Sequence, residues 1–97
     1  MYVMLTQKLS KGFESWKNMV HENKHKLEGF KGRIIFAGSH AEDDNSMVVI
    51  MHYEDKEGLM AFKNDEELTQ KRIEAGALVE TTVMTPMTSE AVTNFSG

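Results

Sequence analysis

The residues with the most chemical promise are two histidines in His21-Glu22-Asn23-Lys24-His25, which spell H-E-x-x-H. On a helix this pattern supplies two zinc ligands and a general base in metalloproteases. At ~100° per residue, however, the apolar residues Phe13, Trp16, Val20 and Leu27 centre about 120° to 160° away from His21 and His25, so the pair points to solvent and not into a cleft. Lys24 and Lys26 put positive charge where a cation would sit, and no third ligand stands at a recognised spacing downstream. The motif reads as a decoy on a solvated helix face, and no metal or other cofactor is expected.

His40 and His52 flank a central pair of apolar segments. If these pair symmetrically around Ala41 to Asn45, Ile34 lies opposite His52 and Phe36 opposite Ile50, all on one face. A histidine among apolar neighbours, with an ordinary pKa of about 6.5, suits deprotonation of a phenolic substrate; its bland alternative is a hydrogen-bonded structural side chain. His52 is therefore the candidate base, and His40 either joins it or simply ends its strand. Trp16, the only tryptophan, could line a pocket between helix and sheet with Phe13 and Phe36, although aromatic residues at helical spacing also serve as plain core. Tyr53 and Tyr2 offer phenols to a ligand, but tyrosines at strand ends usually leave the hydroxyl in water. Eight methionines suit either an adaptable apolar surface or core filling. The acidic runs Glu42 to Asp44 and Asp65 to Glu67 lack the ligand spacing of a calcium loop and read as a turn and a helix start.

Positioning these groups requires a scaffold, and hydrophobic periodicity outlines one. Tyr2 to Leu9 reads as a strand. Ser10 can cap a helix over about 11 to 28, with Gly29 as a left-handed stop. Gly32 to His40 and Ser46 to Tyr53 form a hairpin across the polar Ala41 to Asn45 loop. Asp55 caps a short helix bearing Leu59 and Phe62, and Asn64-Asp65 starts a second piece, where acids come early and Lys71 and Arg72 late, as the helix dipole favours. Gly76 ends it. Leu78 to Met87 is a last strand, with Pro86 near its finish, and 88–97 is a polar tail in which Phe95 is the one large anchor.

The chain has 97 residues, 40% hydrophobic and 27% charged, which fits one globular domain over 1–97 with one modest core. A net charge of −4 with interspersed bases offers no phosphate-binding stripe, so nucleic acid is not expected as a partner. The absence of cysteine removes disulfides and thiolate chemistry. No apolar run approaches the roughly 20 residues of a membrane span, and the N-terminal segment lacks a basic region and cleavage site; no membrane association and a cytoplasmic location are expected.

Strand, helix, strand, strand, helix, strand is the order of the ferredoxin-like βαββαβ motif, an α+β fold with a four-stranded antiparallel sheet and both helices on one face. A sheet wetted on its other face should alternate, yet Met47 to Met51 is apolar at five successive positions and Ile34 to Ala37 at four. Leaving Met47, Val49 and Met51 in water would forgo about 1.5 to 3 kcal/mol for each large side chain. A second copy of the chain is the simplest cover, so a homodimer is expected.

The stretch Tyr53-Glu54-Asp55-Lys56-Glu57-Gly58-Leu59-Met60-Ala61-Phe62, an acidic cap leading into a Leu and Phe helix, resembles the dimeric α+β barrel proteins, and most of all their small uncharacterised members. That superfamily includes cofactor-independent monooxygenases, haem-degrading monooxygenases, stress-responsive barrels and members without known activity. The resemblance alone does not choose among these activities; the first expectation is a ligand-binding or regulatory module without catalytic chemistry, with the dimer as the functional unit and a small apolar molecule as a candidate ligand. The first alternative is a cofactor-independent monooxygenase acting on a quinol-like aromatic, and the second a haem-binding or haem-degrading protein with an axial histidine in the cleft.

Overall fold

The structure, a computed structural model, describes residues 1–93; Phe95 lies outside the described residues. The elements are β1 (Tyr2–Leu9), α1 (Phe13–Glu22), α2 (Lys24–Gly29), β2 (Gly32–His40), β3 (Asp43–Tyr53), α3 (Lys56–Asn64), α4 (Glu66–Glu74) and β4 (Ala77–Met87). The strands form one antiparallel sheet in the order β2-β3-β1-β4. This is the ferredoxin-like α+β arrangement, with two helical pieces after β3 as expected and two also after β1, where one helix was expected. Among the described residues no helix is long and apolar enough to cross a membrane.

Strand parity explains the core. Successive side chains of a strand point to opposite faces, and Val3, Leu5, Gln7 and Leu9 of β1 join Met47, Val49, Met51 and Tyr53 of β3 on the face that the helices cover. Trp16 and Met19 from α1, Leu59 and Phe62 from α3, and Leu68 from α4 close over them. Met47, Val49 and Met51 are thus buried by the protomer's own helices, contrary to the expectation that they need a second chain. The residues without a helical cover are their neighbours Val48, Ile50 and His52.

Local chemistry accounts for most boundaries. The Asp55 carboxylate accepts from the Gly58 amide at 2.7 Å and the Asp65 carboxylate from the Leu68 amide at 2.7 Å, so two aspartates start α3 and α4 as N-caps. A side chain at Gly58 would meet the Phe30 carbonyl, so a glycine lets α3 run close against the end of α2.

Three boundaries differ from the sequence expectation. Ser10 does not cap α1; its hydroxyl donates to the Gly76 carbonyl at 3.2 Å, and the Gly12 and Phe13 amides donate to Asn45 and Asp44 of the hairpin instead. The helix over 11 to 28 is broken at Asn23, whose side-chain amide donates to the Met19 carbonyl at 2.8 Å, so an asparagine competing for the backbone divides it. The left-handed residue that follows α2 is Lys31, with φ 57°, and not Gly29. The hairpin is also tighter than expected, with His40 paired to Asp43 across a two-residue turn.

Candidate functional site

Between helices and sheet, the core leaves a chamber of about 50 Å³. Its apolar walls are Leu5, Val49 and Met51 from the sheet and Trp16, Met19 and Leu68 from the helices. Val20, Leu27 and Ile34 stand at its edge and also line an outer groove of about 300 Å³, which His21, Lys24, Glu28 and Arg33 border. The chamber therefore continues toward the surface through the gap between α1, α2 and the edge strand β2. Trp16 is held there by α1, with Phe13 stacked on it at 5.7 Å.

One end of the chamber is polar. Arg72, 7% exposed, reaches in from α4 and donates from Nη2 to Gln7 Oε1 at 3.1 Å and to Thr82 Oγ1 at 3.4 Å, while Gln7 Nε2 donates to the same threonine at 2.8 Å. Gln7 sits where the pairing of β1 with β4 changes register between Thr6 and Lys8. That irregularity brings Thr82 against it. The guanidinium lies 5.4 Å from the centre of the Phe62 ring, a cation–π contact. Burial pushes the Arg72 pKa below its ordinary value, with Tyr53 acting the other way; a guanidinium nevertheless stays charged at neutral pH.

The expected base occupies the opposite side of the sheet. His52 pairs with Tyr2 and with Arg33, on the face without helices, and its ring meets the Tyr2 ring edge-on at 4.9 Å. Burial, then the N-terminal ammonium and Arg33, push its pKa below the usual value, with Glu54 pulling the other way. Ile35 bulges out of the ladder, so Ile34 lies opposite Met51 and not opposite His52, while Phe36 does pair with Ile50. Ile34 and Phe36 consequently face opposite sides. Phe36 is 59% exposed on the open face and does not line the chamber with Trp16. His40 sits at the turn, seven residues along β2 from the partner of His52, or roughly 23 Å. Thus the sheet separates His52 and Phe36 from Trp16 and Phe13, and the six expected residues do not assemble into one pocket.

Tyr53 departs from expectation in another way. It is fully buried beneath Gly32, where its hydroxyl contacts the Met51 sulfur at 3.6 Å. Burial pushes the phenol above its usual range, opposed by Arg72, so it is a core residue and not a strand-end tyrosine with a wet hydroxyl. His21 and His25 are both exposed and fall on different sides of the break at Asn23, so they are not successive-turn neighbours on one helix. Tyr2 shares the open face with His52.

No protein-family model matches the sequence, and no curated protein is significantly similar to it. Solved structures are similar along the whole chain. An Agrobacterium tumefaciens protein has a TM-score of 0.66 at 13% identity, covering 98% of each chain. A structure named antibiotic biosynthesis monooxygenase has a TM-score of 0.64 at 14% identity, covering 94% of this chain and 100% of the other. An uncharacterised NIPSNAP domain protein from Burkholderia xenovorans has a TM-score of 0.53 at 14% identity, covering 96% of this chain and 100% of the other. The shared feature is the fold, a four-stranded antiparallel sheet with the helices on one face. In this fold the two sheet faces pose separate questions: the helix side holds a chamber, and the open side holds Tyr2, Met4, Val48, Ile50, Phe36, Val83 and Met87 as an apolar band crossing all four strands.

Sequence reasoning missed Arg72 altogether, assigning it to the helix dipole beside Lys71. A signal was present. Leu68, Arg72 and Ala75 stand at i, i+4 and i+7, so the arginine lies on the stripe that also buries Leu68 and Ala75. Gln7 likewise alternates with Leu5 and Leu9 on the inner face of β1.

Proposed function

We propose that this protein is a ligand-binding or regulatory module that works as a homodimer in the cytoplasm and holds a small, mostly apolar ligand in the chamber between its helices and its sheet. The observation that carries the reading is the chamber itself, apolar on most sides, polar at one end and continuous with a surface groove. At about 50 Å³ it is smaller than the roughly 150 Å³ cavity that accepts a benzene ring. Met19 and Met51 in its wall are the unbranched, easily repacked side chains that let such a space enlarge.

Binding is favoured over oxygenation because the chamber's lining contains no carboxylate and no histidine. Gln7, Asn23 and Arg72 accept no proton at neutral pH, so a substrate seated there meets no general base. His52 would have to act through the sheet. The haem alternative requires an axial histidine in the cleft, whereas the chamber's lining has none and His21 borders only the outer groove.

Dimerisation is read from the open face. Phe36, Val83 and Met87 are 59%, 57% and 50% exposed, beside the half-buried Val48 and Ile50. An apolar band of this extent on a protein of 97 residues calls for a cover, and a second copy presenting the same band is self-complementary.

The test follows Trp16 fluorescence while slim apolar alcohols and acids are titrated, with Val20→Phe as the control that narrows the way in. Saturable quenching in the wild type, lost in a Val20→Phe variant of unchanged melting temperature, is the expected result. Oxygen uptake with quinol-like and anthrone-like substrates, abolished by His52→Ala, would instead favour the oxygenase. No binding and no turnover would remove both.

A further inference from the structure

We infer that the ligand is a monoanion with an apolar body, a carboxylate or a group of equivalent charge and shape, whose head pairs with Arg72 from inside the chamber. The inference rests on the binding function proposed above and specifies its ligand class.

Its first support is an imbalance of charge. Arg72 is 93% buried, being 7% exposed, and among the described residues no carboxylate comes within 4.0 Å of it; every ion pair there uses Lys8, Lys24, Lys26 or Lys31. A buried cation without a counter-ion carries a large desolvation cost, and neutral partners offset only part of it. Gln7 and Thr82 both take their bonds from Nη2. A guanidinium has five N–H donors, and Nη1 and Nε make no hydrogen bond among the described residues. Neither is sealed, since no buried side-chain nitrogen or oxygen there is left without a partner, and Arg72 borders both the chamber and the groove beside Lys63 and Thr82. Each free donor can bond one oxygen of a carboxylate, although not as a two-pronged fork, since both paired edges of a guanidinium include Nη2.

The second support is the approach. Lys24 and Arg33 border the outer groove against a single acid, Glu28, which pairs with Lys24 at 3.8 Å and leaves Arg33 as one positive charge in excess, in a chain whose net charge is −4. Such a local reversal of sign draws anions to the mouth. Behind it the walls are apolar, so a doubly charged or heavily hydroxylated ligand would lose its hydration without replacement, whereas a single charged head with a hydrocarbon body is matched at both ends.

The experiment is calorimetric titration of the full chain with hexanoate and with hexanamide, which differ in charge and little in shape. Hexanoate should bind at least about tenfold more tightly, the difference that a charge-assisted pair carries over a neutral hydrogen bond. Arg72→Gln should bring hexanoate down to the affinity of hexanamide, and Arg72→Lys should keep part of the preference, with circular dichroism melts showing that each variant is folded. Equal affinity of acid and amide in the wild type overturns this inference while leaving the binding function intact, and needs no variant to fold. Binding of neither compound, nor of any member of the Trp16 panel, removes the binding function itself.

Arg72 also borders a groove of about 350 Å³ with Lys63, Thr69 and Thr82 on the far side of α4. If Lys63→Gln abolishes the preference for hexanoate while Val20→Phe leaves it unchanged, the anion sits in that groove and the chamber assignment is overturned. The expected result is the reverse.

Discussion

Val49 and Ile50 are adjacent in sequence, nearly equal in hydrophobicity, and placed on opposite faces of β3. Val49 is 1% exposed beneath the helices, where it forms part of the chamber wall. Ile50 lies between Met4 and Phe36 on the open face and is only partly covered. The same run of apolar residues therefore performs two tasks. On one side it builds a core with a polar end organised around Arg72. On the other it presents an apolar band carrying the His52 imidazole, packed edge-on against Tyr2. Folding depends on the first side and the proposed dimer on the second, and the two can be broken separately.

The largest effect is expected at Val49→Asp. A carboxylate placed there has no cationic partner across the ladder, its neighbours being Leu5 and Ala37. Taking it out of water costs several kcal/mol, which Arg72 across the chamber offsets only in part, against a total stability of about 5 to 15 kcal/mol. The variant should be unfolded at 25 °C by circular dichroism. A cooperative melt near that of the wild type would mean that the helices do not close over this face.

Ile50→Asp, one residue on, should leave the fold intact and abolish the dimer. In a monomer this carboxylate is solvated and its cost is small; between two apposed sheets it meets its symmetry mate in a dry interface, and like charges so placed cost several kcal/mol. Sedimentation at low micromolar concentration should show a folded monomer for the variant and the proposed dimer for the wild type. A wild type that is itself monomeric would show that the open face has another purpose, and an Ile50→Asp dimer would place the interface elsewhere.

How much of this was legible in the sequence depended on whether a local rule or a long-range packing choice decided the matter. Aspartates 55 and 65 cap helices because a carboxylate satisfies amides two or three residues ahead, a constraint contained within a short stretch. The strands and their order were readable for a similar reason: apolar runs of fitting length bounded by turns leave few topologies. The site was not readable, because its geometry depends on irregularities. A bulge at Ile35 reverses the facing of everything on one side of it relative to a symmetric hairpin, which moved Phe36 and Ile34 apart. The break at Asn23 divides a helix whose periodicity looks continuous. Arg72 was overlooked since a charged residue late in a helix has a ready surface explanation, and only the Leu68 and Ala75 stripe contradicts it.

A smaller effect separates the two faces by pH. The folded pKa of His52 lies below its ordinary value of about 6.5, first through burial and then through the N-terminal ammonium and Arg33. A group with a depressed folded pKa contributes stability that is present above the unfolded pKa and lost as pH falls through the folded one. Acidification from pH 7.5 toward pH 5 should therefore lower the melting temperature, and more steeply at high protein concentration if the open face is covered by a second copy. His52→Gln should flatten that dependence between pH 7 and 5. A slope unaltered by the substitution would assign the effect to another group.

The smallest effect concerns the helix layer and tests whether α4 is held in place by its start as well as by its buried face. Asp65 accepts from the Leu68 amide at 2.7 Å and faces Lys26 Nζ at 3.2 Å, which ties α4 to α2. The Leu68 amide, and after it Lys26, hold its carboxyl below the usual range against the opposing effect of burial. This contribution is present at neutral pH and is lost as pH falls below about 4. Asp65→Ala should lower stability by about 1 kcal/mol at pH 7, the ordinary value of an N-cap, in urea unfolding followed by far-ultraviolet circular dichroism. Asp65→Asn keeps an acceptor for the Leu68 amide while removing the charge, so it should recover most of the loss. If Asn behaves like Ala, the ion pair with Lys26 outweighs the cap. Because Arg72 lies two turns along the same helix, either variant should also weaken hexanoate binding if the start of α4 determines where the guanidinium sits, and should leave it unchanged if Gln7, Thr82 and Phe62 alone hold it.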